Sequence, residues 1–357
     1  MDTLSLMQRH GLEQIVSVHD PATGLLGCIV IHDTTRGPAI GGTRLYRYAD
    51  PSMALDDAIE LAVAMTRKCA LAGLGAGGGK GVIIDHPGIT DRAAMFAAYG
   101  RYVDSLQGRF YTSGDLGVTA DDLRHMRKST RFVAVPDEQD LNLAGAEAKG
   151  ILAGMSATLE VTGHGADLQG ARVVVQGLGA MGYGVASRLV EAGAEVLGSD
   201  LNEKRLQRAV QHLGLKPLPA ATVYTTEADV FCPCATSAVL TPDVARSLKV
   251  KAVVGAANNQ LFNDEADHIM MDRGVRYAPD FAVNSGAVIL GATHYLEHRT
   301  DWIETAQHAA GRIRESVARI FNESDASGEP PGAVAMRLAD EALVRPRSTD
   351  VQWWPIH

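Results

Sequence analysis

The sequence is poor in cysteine, aromatic residues and long apolar runs. Four cysteines, Cys28, Cys69, Cys232 and Cys234, occur in 357 residues, and none forms a C-x-x-C pair. That argues against a disulfide framework and for reduced, mostly buried thiols in a cytoplasmic protein. No segment approaches the roughly 18 uninterrupted apolar residues of a membrane span, and Met1–Leu12 has Asp2, Arg9 and His10 in place of an apolar signal core. Neither membrane nor secretion is expected. No run of Lys and Arg stands out against a net charge of −9, so nucleic acid is not an expected partner. His294 and His298 stand four apart, but the stretch reads His-Tyr-Leu-Glu-His and not H-E-x-x-H. They read as ordinary helix histidines, and no metal is expected.

What is present describes a globular protein. Apolar residues make up 46% and charged residues 21%, enough for a substantial core. The length exceeds what one core usually fills, so two domains are expected. Up to about residue 140 the chain mixes strands and helices. Gly27–Asp33 and Val82–Asp85 read as strands, and Phe110–Thr112 as a short one. Gly37–Gly42 reads as a turn, and the stretch from Gly73 to Gly79 as a loop. Ser52, Thr90 and Thr119 are candidate helix caps, Thr119 with Asp122 as a capping box. The polar stretch Val135–Asn142, with Pro136, marks a boundary. Beyond it, near-continuous apolar strands at Arg172–Gln176, Glu195–Ser199, Val230–Cys232, Ala252–Val254 and Arg276–Tyr277 alternate with helices. That pattern predicts a parallel sheet covered on both faces. The expected fold class is α/β, with residues 1–140 as a mixed α/β catalytic domain and 141–324 as a Rossmann-type domain. The last helix, about 325–357, is assigned back to the first domain.

Gly177-Leu-Gly179-Ala180-Met181-Gly182 follows a strand directly and opens a helix. In that context the glycines signify a dinucleotide site: a tight turn at Gly177, close approach of the pyrophosphate at Gly179, and helix–strand packing at Gly182. Asp200 ends the next strand, 23 positions beyond Gly177. A carboxylate there accepts from ribose hydroxyls and repels a 2′-phosphate, which predicts NAD over NADP, with Lys204 and Arg205 close behind. A second candidate site lies earlier. Lys80 ends Gly77-Gly78-Gly79-Lys80, and Gly81 follows where a phosphate loop needs Ser or Thr. Lys68 closes the first long helix, and Asp115 sits in a Gly-flanked turn. Two lysines in one pocket lower each other's basicity, which suits one of them to general-base work.

The motifs Gly37-Pro38-Ala39-Ile40-Gly41-Gly42-Thr43-Arg44, Met65-Thr66-Arg67-Lys68, Gly77-Gly78-Gly79-Lys80, Gly114-Asp115, Gln176–Gly182, Cys234-Ala235, Gly255-Ala256-Ala257-Asn258-Asn259 and Ala278-Pro279-Asp280 occur in this order. Together they resemble the glutamate/leucine/phenylalanine/valine dehydrogenase family, and most closely its leucine, phenylalanine and tryptophan dehydrogenases. The resemblance implies a cleft between two domains, a homo-oligomer, and NAD-dependent oxidative deamination of an apolar L-amino acid to a 2-oxo acid and ammonia. It also implies roles. Lys68 would bind the substrate carboxylate, aided by Gly41 and Gly42, and Lys80 would be the base. Asp115 would shuttle protons, Ile40 and Ser113 would flank the substrate, and Asn284 would touch substrate and nicotinamide. Asn258, Ala256, Cys234 and Ala235 would border the cofactor with Ala180, Met181 and the glycines.

The chain departs from the family pattern at Glu147, at Ser285 and Ala287, and at Thr236-Ser237. Two alternatives follow: a nucleotide-binding sensor or partner without activity, or a polar or basic amino acid substrate paired with Glu147. Lying near the start of its helix, Glu147 is expected to point to solvent and cap a helix end.

Overall fold

The computed structural model describes residues 2–135, 142–297 and 301–344, without the side chains of residues 297, 302 and 303. Residues 136–141, His298 and everything beyond 344 lie outside the described residues. With them fall part of the predicted boundary loop, one of the paired histidines and the end of the predicted last helix. Two compact units emerge. The first comprises Met1–Leu141, Tyr295–Glu297 and Ala339–His357; the second comprises Asn142–His294 and His298–Leu338.

In the first unit the elements run α1 (Thr3–His10), β1 (Gln14–Asp20), β2 (Leu25–Asp33), β3 (Ala39–Tyr46), α2 (Pro51–Leu71), β4 (Gly77–Ile84), α3 (Arg92–Ser105), β5 (Phe110–Gly114) and α4 (Ala120–Arg127). The sheet order is β1-β2-β4-β3-β5. Its pairs are antiparallel from β1 through β4 and parallel from β4 through β5. Alternation along β2 separates two cores: Cys28 and Val30 pack with Ala58, Ile59 and Ala62 of α2, while Ile29 and Ile31 pack with Phe96, Tyr99 and Val103 of α3.

Here the sequence reading needs correction. The stretch 37–42, read as a turn, mostly belongs to β3, and Gly77–Gly79, read as loop, opens β4. The glycines are in strands because neighbouring backbone leaves no room for a side chain. A Cβ on Gly41 would lie 1.8 Å from the Gly79 carbonyl oxygen, one on Gly77 1.8 Å from that of Asp33, and one on Gly78 2.1 Å from the Thr66 nitrogen. Two caps also shift by one or two residues: Asp50 and Asp91, not Ser52 and Thr90, accept from the first turns of α2 and α3. The Thr119–Asp122 capping box is present as expected.

The second unit runs α5 (Leu143–Val161), β6 (Arg172–Gln176), α6 (Ala180–Glu191), β7 (Glu195–Ser199), α7 (Glu203–Leu213), β8 (Lys216–Pro217), β9 (Val230–Pro233), α8 (Pro242–Ser247), β10 (Ala252–Val253), α9 (Asp264–Asp272), β11 (Arg276–Tyr277), α10 (Asp280–Val283), α11 (Gly286–Glu297), α12 (Trp302–Ser327) and α13 (Pro331–Val344). The last turns of α11 and α13 belong to the first unit. The sheet is parallel throughout, in the order β11-β10-β9-β6-β7-β8. This is the doubly wound order, and its direction reverses between β6 and β9, where such sheets bind ligands beyond the strand ends. No helix among the described residues is long and apolar enough to cross a membrane.

Candidate active site

Alternation on β4 decides where Lys80 goes. A Cβ on Gly81 would lie 2.0 Å from the Tyr99 hydroxyl on the α3 side, whereas Gly78 touches Thr66 of α2. Lys80 is even-numbered like Gly78 and therefore faces α2, the helix that carries Lys68 in its last turn. Both lysines are buried, with 6% and 9% of their surface exposed. Lys80 Nζ lies 2.7 Å from Asp115 Oδ2, and the same oxygen accepts from Arg44 Nε at 2.9 Å. Arg44 reaches on to Asp57 of α2 at 2.9 Å, and Asp57 accepts from the Tyr48 hydroxyl.

Asp115 stands one residue past β5, with its N–H bonded to the Thr43 carbonyl. A Cβ on Gly42 would lie 2.9 Å from the Cβ of Asp115, so glycine there makes room for the carboxylate. Gly42 pairs with Ser113 across the parallel strands, and Ile40 with Tyr111 and Gly78. The first sheet thus brings Lys68, Lys80, Asp115, Gly41, Gly42, Ile40 and Ser113 into one neighbourhood. Sequence reading missed Arg44 as a site residue, and Asp57 and Tyr48 with it. Arg44 was visible only as the last residue of a motif, and nothing in its spacing announced a carboxylate partner.

The electrostatics follow from this packing. Burial lowers the Lys80 pKa; Asp115 opposes the shift, and Arg44 and Lys68 reinforce it. For Asp115, burial acts upward, but the charges of Lys80 and Arg44 outweigh it and hold the carboxyl at about 2. Arg44 and Lys68 bring further positive charge beside the Lys80–Asp115 pair.

In the second unit the glycine loop is built as its spacing predicts. Gly177 has φ +91°, and a Cβ there would lie 2.7 Å from that of Ala235. A Cβ on Gly182 would lie 1.9 Å from the Gly177 carbonyl oxygen. Gly179 is different. Its Cβ would meet only Arg205 Nη1, at 3.9 Å, and no side chain caps the helix that starts at Ala180 and Met181. An open helix N-terminus flanked by a guanidinium fits the pyrophosphate of a dinucleotide. Asp200 Oδ2 accepts from Leu178 N–H and Oδ1 from Asn202 N–H, both at 2.7 Å. Asp200 therefore anchors the glycine loop. Cys234 N–H bonds to the Gln176 carbonyl, immediately before the loop. Asn284 Nδ2 donates to Asn258 Oδ1 at 2.8 Å and to the Ala256 carbonyl at 3.4 Å.

Glu147 requires a correction. It is buried, not solvent-facing, and its Oε2 accepts from Ala287 N–H at 2.8 Å. It does serve a helix start, but that of α11 and not of its own helix. The departures at Glu147 and Ala287 are thus in direct contact.

Two family models match the chain: "Glu/Leu/Phe/Val dehydrogenase, dimerisation domain" over residues 12–132, and "Glutamate/Leucine/Phenylalanine/Valine dehydrogenase" over 199–339. Leucine dehydrogenase of Bacillus subtilis (strain 168) is 35% identical over 356 residues, 99% of this chain and 97% of the relative. The chain belongs to the glutamate/leucine/phenylalanine/valine dehydrogenase family. Within this family, phenylalanine dehydrogenase of Lysinibacillus sphaericus is 41% identical over 322 residues, covering 87% of this chain and 83% of the relative. The crystal structure of L-tryptophan dehydrogenase from Nostoc punctiforme superposes with a TM-score of 0.80 at 31% identity, covering 95% of this chain and 98% of that one.

Proposed function

We propose that this amino acid dehydrogenase converts an apolar L-amino acid and NAD to the 2-oxo acid, ammonia and NADH, reversibly. The observation that carries the reading is the cluster of buried Lys80 with half-buried Asp115 and Arg44, beside buried Lys68, within a chain whose relatives are named for leucine, phenylalanine and tryptophan.

Lys68 and the Gly41–Gly42 backbone hold the substrate carboxylate. Bound NAD supplies one thing, a hydride acceptor for the substrate Cα. Asp115 passes protons to and from the substrate nitrogen, and the cations beside it hold it ionised until substrate binds. Lys80, made less basic by burial, takes a proton from the water that attacks the substrate imine. Arg44 holds Asp115 in place. Gly177, Gly179 and Gly182, with Ala180 and Met181, cradle the pyrophosphate. Cys234, Ala235, Ala256 and Asn258 border the nicotinamide half, and Asn284 reaches both nicotinamide and substrate. Asp200 favours NAD over NADP by repelling a 2′-phosphate.

Buried Ile40 and the uncharged Ser113 leave a substrate carboxylate side chain without a partner, and burying an unpaired charge is very costly. L-Glutamate is therefore a poor substrate. Glu147 is engaged at α11, which supports the apolar reading over a basic substrate. The name of the first matching model, a dimerisation domain, supports a homo-oligomer assembled through the first unit. Four free thiols support a reducing, cytoplasmic setting.

The test is NADH and NADPH formation from L-leucine, L-valine, L-phenylalanine, L-tryptophan, L-glutamate, L-lysine and L-arginine. At least one of the first four should give the highest kcat/KM, with NAD the better acceptor. No turnover with any of them, despite NADH binding, would favour a sensor; a basic substrate lost in Glu147→Gln would make Glu147 the specificity residue.

A further inference from the structure

One feature of the second unit lies outside the proposed chemistry: a second cysteine, two residues before Cys234. Cys232 and Cys234 flank Pro233 at the end of β9, and their Sγ atoms are 3.6 Å apart. Successive odd or even positions of a strand share a face, so the pairing follows from the strand itself. Two thiols are too few for a closed metal site, and no group of three His, Cys, Asp or Glu stands together among the described residues. Cys28 and Cys69, by contrast, are buried separately, and burial raises each thiol to about 12.

We propose that Cys232 and Cys234 form an intrachain disulfide on exposure to a hydroperoxide, and that this bond loosens the dinucleotide loop. The two thiols differ in a way that assigns their roles. Cys232 is fully buried, whereas Cys234 is partly exposed. The hydrogen bond from Cys232 lowers the pKa of Cys234, with help from the Ala256 backbone, while Cys232 itself is held well above the usual thiol range. Cys234 is therefore the attacking thiolate. Its sulfur takes the terminal oxygen of the peroxide, breaking the O–O bond; with hydrogen peroxide, water leaves after proton uptake. The Cys232 thiol then attacks the sulfenic sulfur, gives up its proton, and displaces a second water. Two thiols are oxidised, one peroxide is reduced, and a sulfur–sulfur bond replaces two S–H bonds.

The link to the cofactor loop is geometric. A disulfide brings the sulfurs to about 2.05 Å, so the pair must close by roughly 1.5 Å. Cys234 is tied to the loop at its backbone. Its N–H holds the Gln176 carbonyl at 2.7 Å, its Cβ would lie 3.0 Å from a Cβ on Gly182, and Ala235 abuts Gly177. A contraction of the Cys232–Cys234 segment is transmitted to both ends of the glycine loop. The coupling rests on the cofactor reading above; the disulfide does not.

The full-length chain is first reduced, freed of reductant and treated with stoichiometric hydrogen peroxide. Expected are a mass loss of about 2 Da per chain, as two hydrogens leave, a Cys232–Cys234 crosslink in the peptide map, and an NADH Kd raised about tenfold or more, all reversed by dithiothreitol. Cys232→Ala should bind NADH like the reduced wild type before oxidation, and on oxidation should give no such crosslink but a dimedone-reactive sulfenic acid on Cys234. Oxidation without the crosslink would overturn the disulfide. A crosslink with unchanged NADH affinity would overturn the coupling. Failure of the reduced protein to bind NADH would overturn the cofactor reading and the coupling with it, while the mass loss and peptide map would still decide the disulfide.

Discussion

Asp115 in the first unit is half-buried and Asp267 in the second is buried, and the two are driven in opposite directions. Asp115 in the first unit meets Lys80 and Arg44, and these cations overcome burial and hold it at about 2. Asp267 in the second unit meets mainly the Gly332 N–H and neighbouring His268; burial wins and raises it to about 6. Its Oδ1 has no hydrogen-bond partner among the described residues. Burial alone therefore does not make a site. What marks the first unit is a carboxylate fixed in its charged form by a buried lysine and a half-buried arginine, an arrangement whose desolvation cost points to function more than to stability.

The glycines repeat the contrast. In the first unit they sit inside strands so that backbones can touch; in the second they sit at a strand–helix turn where a ligand can approach. Gly78→Ala should break the first arrangement outright, because the added methyl would sit 2.1 Å from the Thr66 nitrogen in a helix that cannot yield like a side chain. We expect a loss of roughly 3 kcal/mol or more in stability, the range of severe overpacking, read by denaturant unfolding. Gly179→Ala is the counterpart. Its methyl meets no atom closer than 3.9 Å, so stability should change by less than about 0.5 kcal/mol while NADH affinity falls. Equal stability losses in the two variants would erase the distinction.

Much of the second unit was legible in the sequence, because its signals are local. Arg172–Gln176 running into Gly177-x-Gly179-x-x-Gly182 carries strand, turn and helix within a dozen residues. The first unit resisted because its glycines answer to partners far away in sequence: Gly41 to Gly79, Gly77 to Asp33, Gly78 to Thr66. Read locally, GPAIGG and GGGK look like turn and loop; only the neighbouring strands and α2 make them β3 and β4. Arg44 escaped for the same reason, since its partners Asp57 and Asp115 lie 13 and 71 positions away. Glu147 was misjudged because its partner, Ala287 N–H, is 140 positions distant.

Asp267 offers a milder test of the contrast. Its folded pKa lies above the ordinary aspartate value of 3.8, so its contribution to stability is fully present below about pH 4 and is lost as pH rises through about 6. Asp267→Asn should therefore gain on the wild type as pH rises from 4 to 7, by on the order of 2–3 kcal/mol at most. A stability difference independent of pH across that window would show that Asp267 is not the raised group.

A smaller effect is expected at Asp200, which both anchors the loop and carries the charge. Asp200→Asn keeps acceptors for the Leu178 and Asn202 N–H groups to the extent that one oxygen can, and removes the charge. The proposed preference for NAD over NADP should narrow by about tenfold, near 1.4 kcal/mol, in the ratio of kcat/KM values. An unchanged ratio would transfer discrimination to Arg205 or Lys204.

In the proposed function the two units divide the work: proton chemistry in the first, cofactor binding in the second. Lys80→Ala tests that division most directly when kcat and the NADH Kd are measured on the same preparation. The prediction is a kcat lower by roughly 10²–10⁴-fold, the usual contribution of a positioned base, with NADH affinity within about twofold of the wild type. A kcat close to normal, or a loss of activity explained by lost NADH binding, would contradict it.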